Sequence, residues 1–218
     1  FMNSKIEKKI FLSVVVPVYN EEQTLLRIIK ELKYLEDYCK LEIIVINDGS
    51  TDTSKEIIDN NKYYISKIKH FEKNQGKGRA VIEGIRMCEG DYILIQDADL
   101  EYDPQDIKKF ITKIIENEAD CIMGSRFIGN ERSVLHFWHM IGNRFITILF
   151  NILNNTAFSD IYCCYLLFKR NSVKAEDLKS VGWGQHAEIL TFVIKNSNKP
   201  FEIAVSYNGR TYQDGKKI

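Results

Sequence analysis

The sequence predicts an α/β fold, a single domain built on a mostly parallel central sheet flanked by helices. Three observations carry that expectation. Apolar runs rich in β-branched residues alternate along the chain with segments of helical periodicity. The runs are near-continuous rather than alternating, as strands buried on both faces require. Three of them end in polar clusters, "PVYNEE", "NDGSTD" and "QDADLEYD". A parallel sheet gathers its ligands at that carboxyl edge, so the three clusters are expected to meet in one cleft.

Taken in order, "IFLSVVVPVYN" (10–20) reads as the first buried strand. "EEQTLLRIIKELKYL" follows as a helix, with Leu25, Ile28, Ile29, Leu32 and Leu35 on one face and acids in its first turn. "LEIIVINDGSTD" (41–52) is a second strand running into a turn, "TSKEIIDNN" a helix and "KIKHFEK" a short strand. "NQGKGRAVIEGIRMCEG" (74–90) is a Gly-rich entry into a helix closed by Gly90. "DYILIQDAD" (91–99) is a further buried strand. "DPQDIKKFITKIIENE" (103–118) is a helix opened by Pro104, with Ile107, Phe110, Ile111, Ile114 and Ile115 as its inner stripe. "ADCIMGSRF" returns to strand. Beyond it the pattern loosens. Residues 133–153 form one or two helices dense in aromatics, 160–170 a strand or strand pair, 185–198 helix and 199–210 strand. No second core is visible, so residues 1–9 are a charged lead-in and 10–218 one domain.

The chain has 30 Lys and Arg against 30 Asp and Glu, a zero net charge that argues against a nucleic-acid binder. Five cysteines without a CxxC pair suit a reducing, cytoplasmic setting. No run reaches the roughly 18 apolar residues of a membrane span. Phe137 and Trp138 are either core aromatics or a membrane-interface patch.

The chemistry concentrates in "DADLE". Asp97 and Asp99, two apart at a strand end, with Glu101, offer hard oxygens to Mg²⁺ or Mn²⁺. A lone Asp-x-Asp is more often an acidic turn; its place beside two other polar strand ends favours a site. Asp48 can reach a base or ribose, while Ser50 or Thr51 caps the next helix and Asp52 meets its dipole. "NQGKGRA" lacks the spacing of a phosphate loop and reads as a flexible helix entry, with Lys77 near a nucleotide the minor option. His136 and His139 read as surface or packing residues. Arg126 ends a strand on the active edge, and Arg210 and Lys216 follow another; arginine suits bidentate phosphate contacts. Glu188 is either a general base or the polar turn of a helix.

"VVVPVYNEE", "VINDGSTD", "NQGKGRA", "DADLEYDP", "GSRF" and "YNGRTYQDGKKI" stand in the order seen in family 2 glycosyltransferases. The chain resembles that family over residues 10–218, and most of all its dolichyl- and polyprenyl-phosphate sugar synthases. The resemblance implies a GT-A fold, with 10–218 as the catalytic domain. It implies an inverting, metal-dependent transfer from a UDP- or GDP-linked sugar to a polyprenyl or dolichyl phosphate, at the cytoplasmic membrane face. Pro17, Tyr19 and Glu21 would line the nucleoside pocket, with Asp48 on base or ribose. Asp97 and Asp99 would hold the metal against the donor diphosphate, with Glu101 where relatives carry Gln. Arg126 would face acceptor phosphate or donor sugar, Arg210 and Lys216 would close over the diphosphate, and Glu188 would lie near the acceptor. Two departures stand out. His139 replaces a basic residue common in relatives, and the chain stops at "GKKI" where many relatives continue into membrane helices. The alternatives are transfer to a glycan hydroxyl, for which Glu188 would serve as base, and a nucleotide-sugar binder without turnover.

Overall fold

The structure, a computed structural model, describes residues 10–129, 137–182 and 184–209. Its centre is a seven-stranded sheet of β1 (Phe11–Val18), β2 (Lys40–Asn47), β3 (Lys67–His70), β4 (Tyr92–Ile95), β5 (Cys121–Ser125), β6 (Leu166–Lys169) and β7 (Pro200–Ala204), in the order β3-β2-β1-β4-β6-β5-β7. All neighbouring pairs are parallel except those of β6, which runs antiparallel to both β4 and β5. The helices are α1 (Leu25–Lys33), α2 (Ser54–Asn60), α3 (Lys77–Met87), α4 (Ile107–Asn117), α5 (Phe137–Asn154) and α6 (Gln185–Lys195). The α/β class, the single sheet and its mostly parallel sense match the expectation from the sequence.

β1 is an interior strand between β2 and β4, and seven of its eight residues are buried. It pairs with β2 in full register, Phe11 opposite Lys40 through Val18 opposite Asn47. α1 covers the sheet with Leu25, Ile28, Ile29 and Leu32, each fully buried and contributing about 2 kcal/mol. α3 lies against β1 and β2.

Four local expectations are corrected. α1 starts at Leu25, so Glu21 and Glu22 precede it instead of entering its first turn, and Leu35 lies in a 3-10 turn. β4 ends at Ile95, so Asp97 and Asp99 occupy a turn and not one face of a strand. Ile115 is 63% exposed, because residues 107, 110, 111 and 114 already complete the stripe that α4 buries. β6 keeps only four residues of the strand expected over 160–170.

Candidate active site

The loops after β1, β2 and β4 are tied together at the carboxyl edge. Asn20, at φ 54°, donates its N–H to Ser50 Oγ at 3.0 Å, and its Oδ1 accepts from Thr51 N at 2.8 Å. Glu21 N donates to Ser54 Oγ at 3.0 Å. Glu22 Oε2 accepts from Thr53 Oγ1 at 2.6 Å. Thr24 Oγ1 crosses to the third loop and donates to Ala98 O at 2.6 Å. Asp52, not Ser50 or Thr51, takes the amide at the start of α2, accepting from Ser54 N at 2.9 Å. The polar strand ends therefore do converge at one edge of the sheet.

Asp48 sits at the end of β2, 2% exposed. Its two oxygens accept from Gln75 N at 2.7 Å and Gly76 N at 2.9 Å. Burial raises its carboxyl above the usual range, although those two amides oppose the rise. Gly49 turns the chain here at φ +67°, and a Cβ on it would strike the Lys73–Asn74 backbone. The Gly-rich stretch is thus pinned over Asp48, and it delivers Lys77 to the acidic turn. Lys77 Nζ lies 2.6 Å from Asp97 Oδ1 and 2.8 Å from Oδ2. The lost hydration works against the ammonium, but Asp97 outweighs it and raises the lysine above its ordinary range.

Beyond Asp97, Asp99 Oδ1 accepts from Glu101 N at 3.1 Å. Leu100 takes a left-handed conformation between them, at φ 60°. Glu101 is latched to the segment after β7. Tyr207 Oη donates to its Oε2 at 3.0 Å, and Asn208 N donates to its carbonyl at 2.9 Å. Tyr102 bridges Tyr207 in the backbone as well.

A second charged cluster lies at the end of β5. Arg126 donates from Nε to Asp160 Oδ2 at 2.7 Å and from Nη2 to Oδ1 at 2.8 Å. Asn143 of α5 donates to the same Oδ1 at 2.8 Å, and Glu202 of β7 holds the Ser159 and Asp160 amides. Asp160 is fully buried. Desolvation disfavours its charge, yet Arg126 and Asn143 keep its carboxyl below the ordinary range. The guanidinium also stacks 5.2 Å from the Tyr207 ring centroid.

His186 lies on the first turn of α6. Its Nε2 is enclosed without a hydrogen-bond partner. Desolvation first, then Lys77, lowers the ring to about 4, with Asp97, Asp160 and Arg126 also acting on it. Gln185 fixes the helix by donating to Gly78 O at 3.1 Å. A Cβ on Gly78 would collide with the Val181 backbone, so glycine permits this close approach of α3 and the loop before α6.

Of the residues singled out in the sequence, Asp48, Asp97, Asp99, Glu101 and Arg126 fall at or beside this edge. Tyr19 is 37% exposed at the end of β1, and Glu21 accepts from Thr24 Oγ1 at 3.3 Å. Pro17 is buried inside β1 opposite Ile46. Glu188 accepts from Lys179 N at 3.1 Å and from Ser180 N at 2.9 Å, closing the loop before α6. Arg210, Lys216, His136 and the His139 side chain lie outside the described residues. The sequence reading missed Asp160, Asn143, Glu202 and His186. Only the "SD" pair before a strand was a local signal for any of them.

The profile for Glycosyl transferase family 2 matches residues 13–175. The chain belongs to glycosyl transferase family 2. Among similar proteins, an uncharacterized protein of Methanocaldococcus jannaschii is 26% identical over 215 residues, covering 92% of this chain and 88% of the relative. A dolichyl-phosphate beta-glucosyltransferase of Trichomonas vaginalis is 29% identical over 217 residues, covering 92% of this chain and 66% of the relative. The chain thus spans just under two thirds of that enzyme. Glucosyl-3-phosphoglycerate synthase from Mycobacterium tuberculosis, solved with Mn²⁺, UDP and phosphoglyceric acid, superposes with a TM-score of 0.69 at 18% identity. That match covers 94% of this chain and 73% of the synthase, and it establishes the GT-A fold.

The acidic turn presents two carboxylates, one of them paired with an ammonium. Lys77 already places one positive charge astride Asp97, and Asp99 adds a second hard carboxylate nearby in the chain. Among the described residues no cluster of three or more His, Cys, Asp or Glu forms a cage. Such a donor set suits Mg²⁺ or Mn²⁺, which take one or two carboxylates and complete their shell with water and substrate phosphates.

Proposed function

We propose that the protein transfers a sugar from a UDP- or GDP-linked donor to a polyprenyl or dolichyl phosphate, with inversion at the anomeric carbon. The observation that carries the lipid acceptor is the two-sided character of α5. Its inner side reaches the charged cluster through Asn143 and buries Thr147 and Phe150. Its outer side exposes Trp138, Ile141, Phe145, Ile148 and Ile152, spaced as one helical stripe. Arg144 is the one Asp, Glu, Lys or Arg between Phe137 and Asn154, and no acid occurs there. An ionised head beside an apolar helix face is the chemistry of a lipid phosphate at a membrane surface. No helix of the described residues is long and apolar enough to cross a membrane.

The donor would enter over Asp48 and Tyr19, its diphosphate over the acidic turn. Mg²⁺ or Mn²⁺ held by Asp97 and Asp99 would neutralise the departing diphosphate. Glu101 would steady the turn through Tyr207, and Arg210 and Lys216 would close over the phosphates. An acceptor phosphate oxygen attacks the anomeric carbon as the bond to the diphosphate breaks, releasing the nucleoside diphosphate. A phosphate is ionised already, so no general base is needed, and orientation by Arg126 supplies the catalytic gain. The engagement of Glu188 with two backbone amides supports a structural role over a basic one.

Vesicles carrying polyprenyl phosphate, incubated with UDP- and GDP-linked sugars and Mn²⁺, test the reading. Labelled sugar is expected in the lipid fraction, and Ile148→Glu is expected to depress that product while sparing transfer to a short soluble phosphate analogue. Label on free glycans alone would replace the lipid phosphate with a hydroxyl acceptor.

A further inference from the structure

Lys77 is placed by the fold and not by chance of a long side chain. Gly76, at φ +93°, donates its N–H to Asp48, and Gln75 donates to the same carboxylate. Gln185 grips the next carbonyl, that of Gly78. The backbone on both sides of Lys77 is therefore fixed. From there the ammonium spans both oxygens of Asp97, at 2.6 and 2.8 Å, where the side chain of Asp97 is 15% exposed and that of Lys77 47%. Two amides of the Gly-rich loop are committed to Asp48, and the side chain of Lys77 projects from that loop to the acidic turn.

An ammonium astride a carboxylate and a divalent cation on the same oxygens exclude each other, by contact and by charge. We propose that Lys77 is the resident counter-ion of Asp97 in the free protein, and that the diphosphate of a nucleotide sugar draws it away. The same lysine then has two partners in turn: Asp97 without donor, a diphosphate oxygen with it. The acidic turn stays neutralised at every stage, and the free protein binds Mg²⁺ or Mn²⁺ weakly. This rests on the cation reading given under Proposed function and adds the device that couples cation to donor.

Electron paramagnetic resonance of free Mn²⁺ tests it without turnover. Titrations of wild type, Lys77→Met and Lys77→Arg are made with and without UDP or GDP, each variant first checked by its melting temperature. Lys77→Met keeps the stem and removes the charge. Without nucleotide it is expected to bind Mn²⁺ about tenfold more tightly than wild type. Lys77→Arg is expected to stay weak. With saturating Mn²⁺, Lys77→Met is expected to bind the nucleoside diphosphate several-fold more weakly. Mn²⁺ affinity of Lys77→Met within twofold of wild type, or weaker, overturns the proposal. Should Lys77→Met fail to fold, Lys77→Gln carries the same comparison. Asp97→Asn separates the two readings: if it leaves Mn²⁺ binding unchanged, the cation site falls and this inference with it. If Asp97→Asn abolishes binding while Lys77→Met changes nothing, only the role of Lys77 falls.

Discussion

Arg126 and Asp160 form a two-pronged ion pair, 2.7 and 2.8 Å long, around a carboxylate that is fully buried. Removing one partner strands the other charge, which costs about 3–5 kcal/mol in such settings. Asp160→Asn should lower stability by that order and suppress transfer. Urea unfolding and a transfer assay measure the two effects. Pairing Arg126→Met with Asp160→Leu should recover much of the stability and none of the activity, because the apolar pair removes the stranded charge along with the donor.

Asp99 accepts a hydrogen bond from Glu101 N within its own turn. Asp99→Ala is expected to leave the melting temperature within a few degrees of wild type while abolishing transfer. Full activity in that variant would remove Asp99 from the cation site.

Glu188 closes the loop before α6 through the amides of Lys179 and Ser180. A neutral amide keeps one acceptor for them, so Glu188→Gln should cost stability of about 1 kcal/mol and spare transfer to a phosphate acceptor. A collapse in rate with the fold and donor binding intact would make Glu188 a base and the acceptor a hydroxyl.

His186 ties stability to acidity. In the unfolded chain its ring takes a proton near 6.5, whereas in the folded protein it does so only at about 4. Between those values the unfolded state binds a proton that the folded state refuses. This contribution is complete above about pH 6.5 and declines as pH falls toward 4. Melting temperatures of wild type and His186→Gln across that interval should diverge, with the wild type losing more. Parallel curves would place the ring in contact with water.

Strands β1, β2 and β4 were legible because burial on both faces leaves an unbroken apolar run, and their polar ends announced the edge where they converge. The acids of "DADLE" were legible for the same reason: they follow a strand that has nowhere else to lead. The antiparallel insertion of β6 between β4 and β5 was not, since strand order is a long-range choice that local periodicity does not encode. Asp160 meets Arg126 across 34 positions of sequence, and Lys77 meets Asp97 across 20. Neither partner carries a mark of the other. Nothing in the helical stretch 185–198 singled out His186, and only packing reveals a ring nitrogen without a partner. Ile115 misled in the opposite sense, because an apolar residue beside a full stripe is counted with it.

The latch of Tyr207 and Asn208 onto Glu101 makes the end of the described chain a structural neighbour of its middle. Opening the acidic turn means peeling away the residues after β7 in the same event, so the two stretches should breathe as one cooperative unit in amide exchange. A sequence change that weakens one of these distant segments would be felt as slackness in the other.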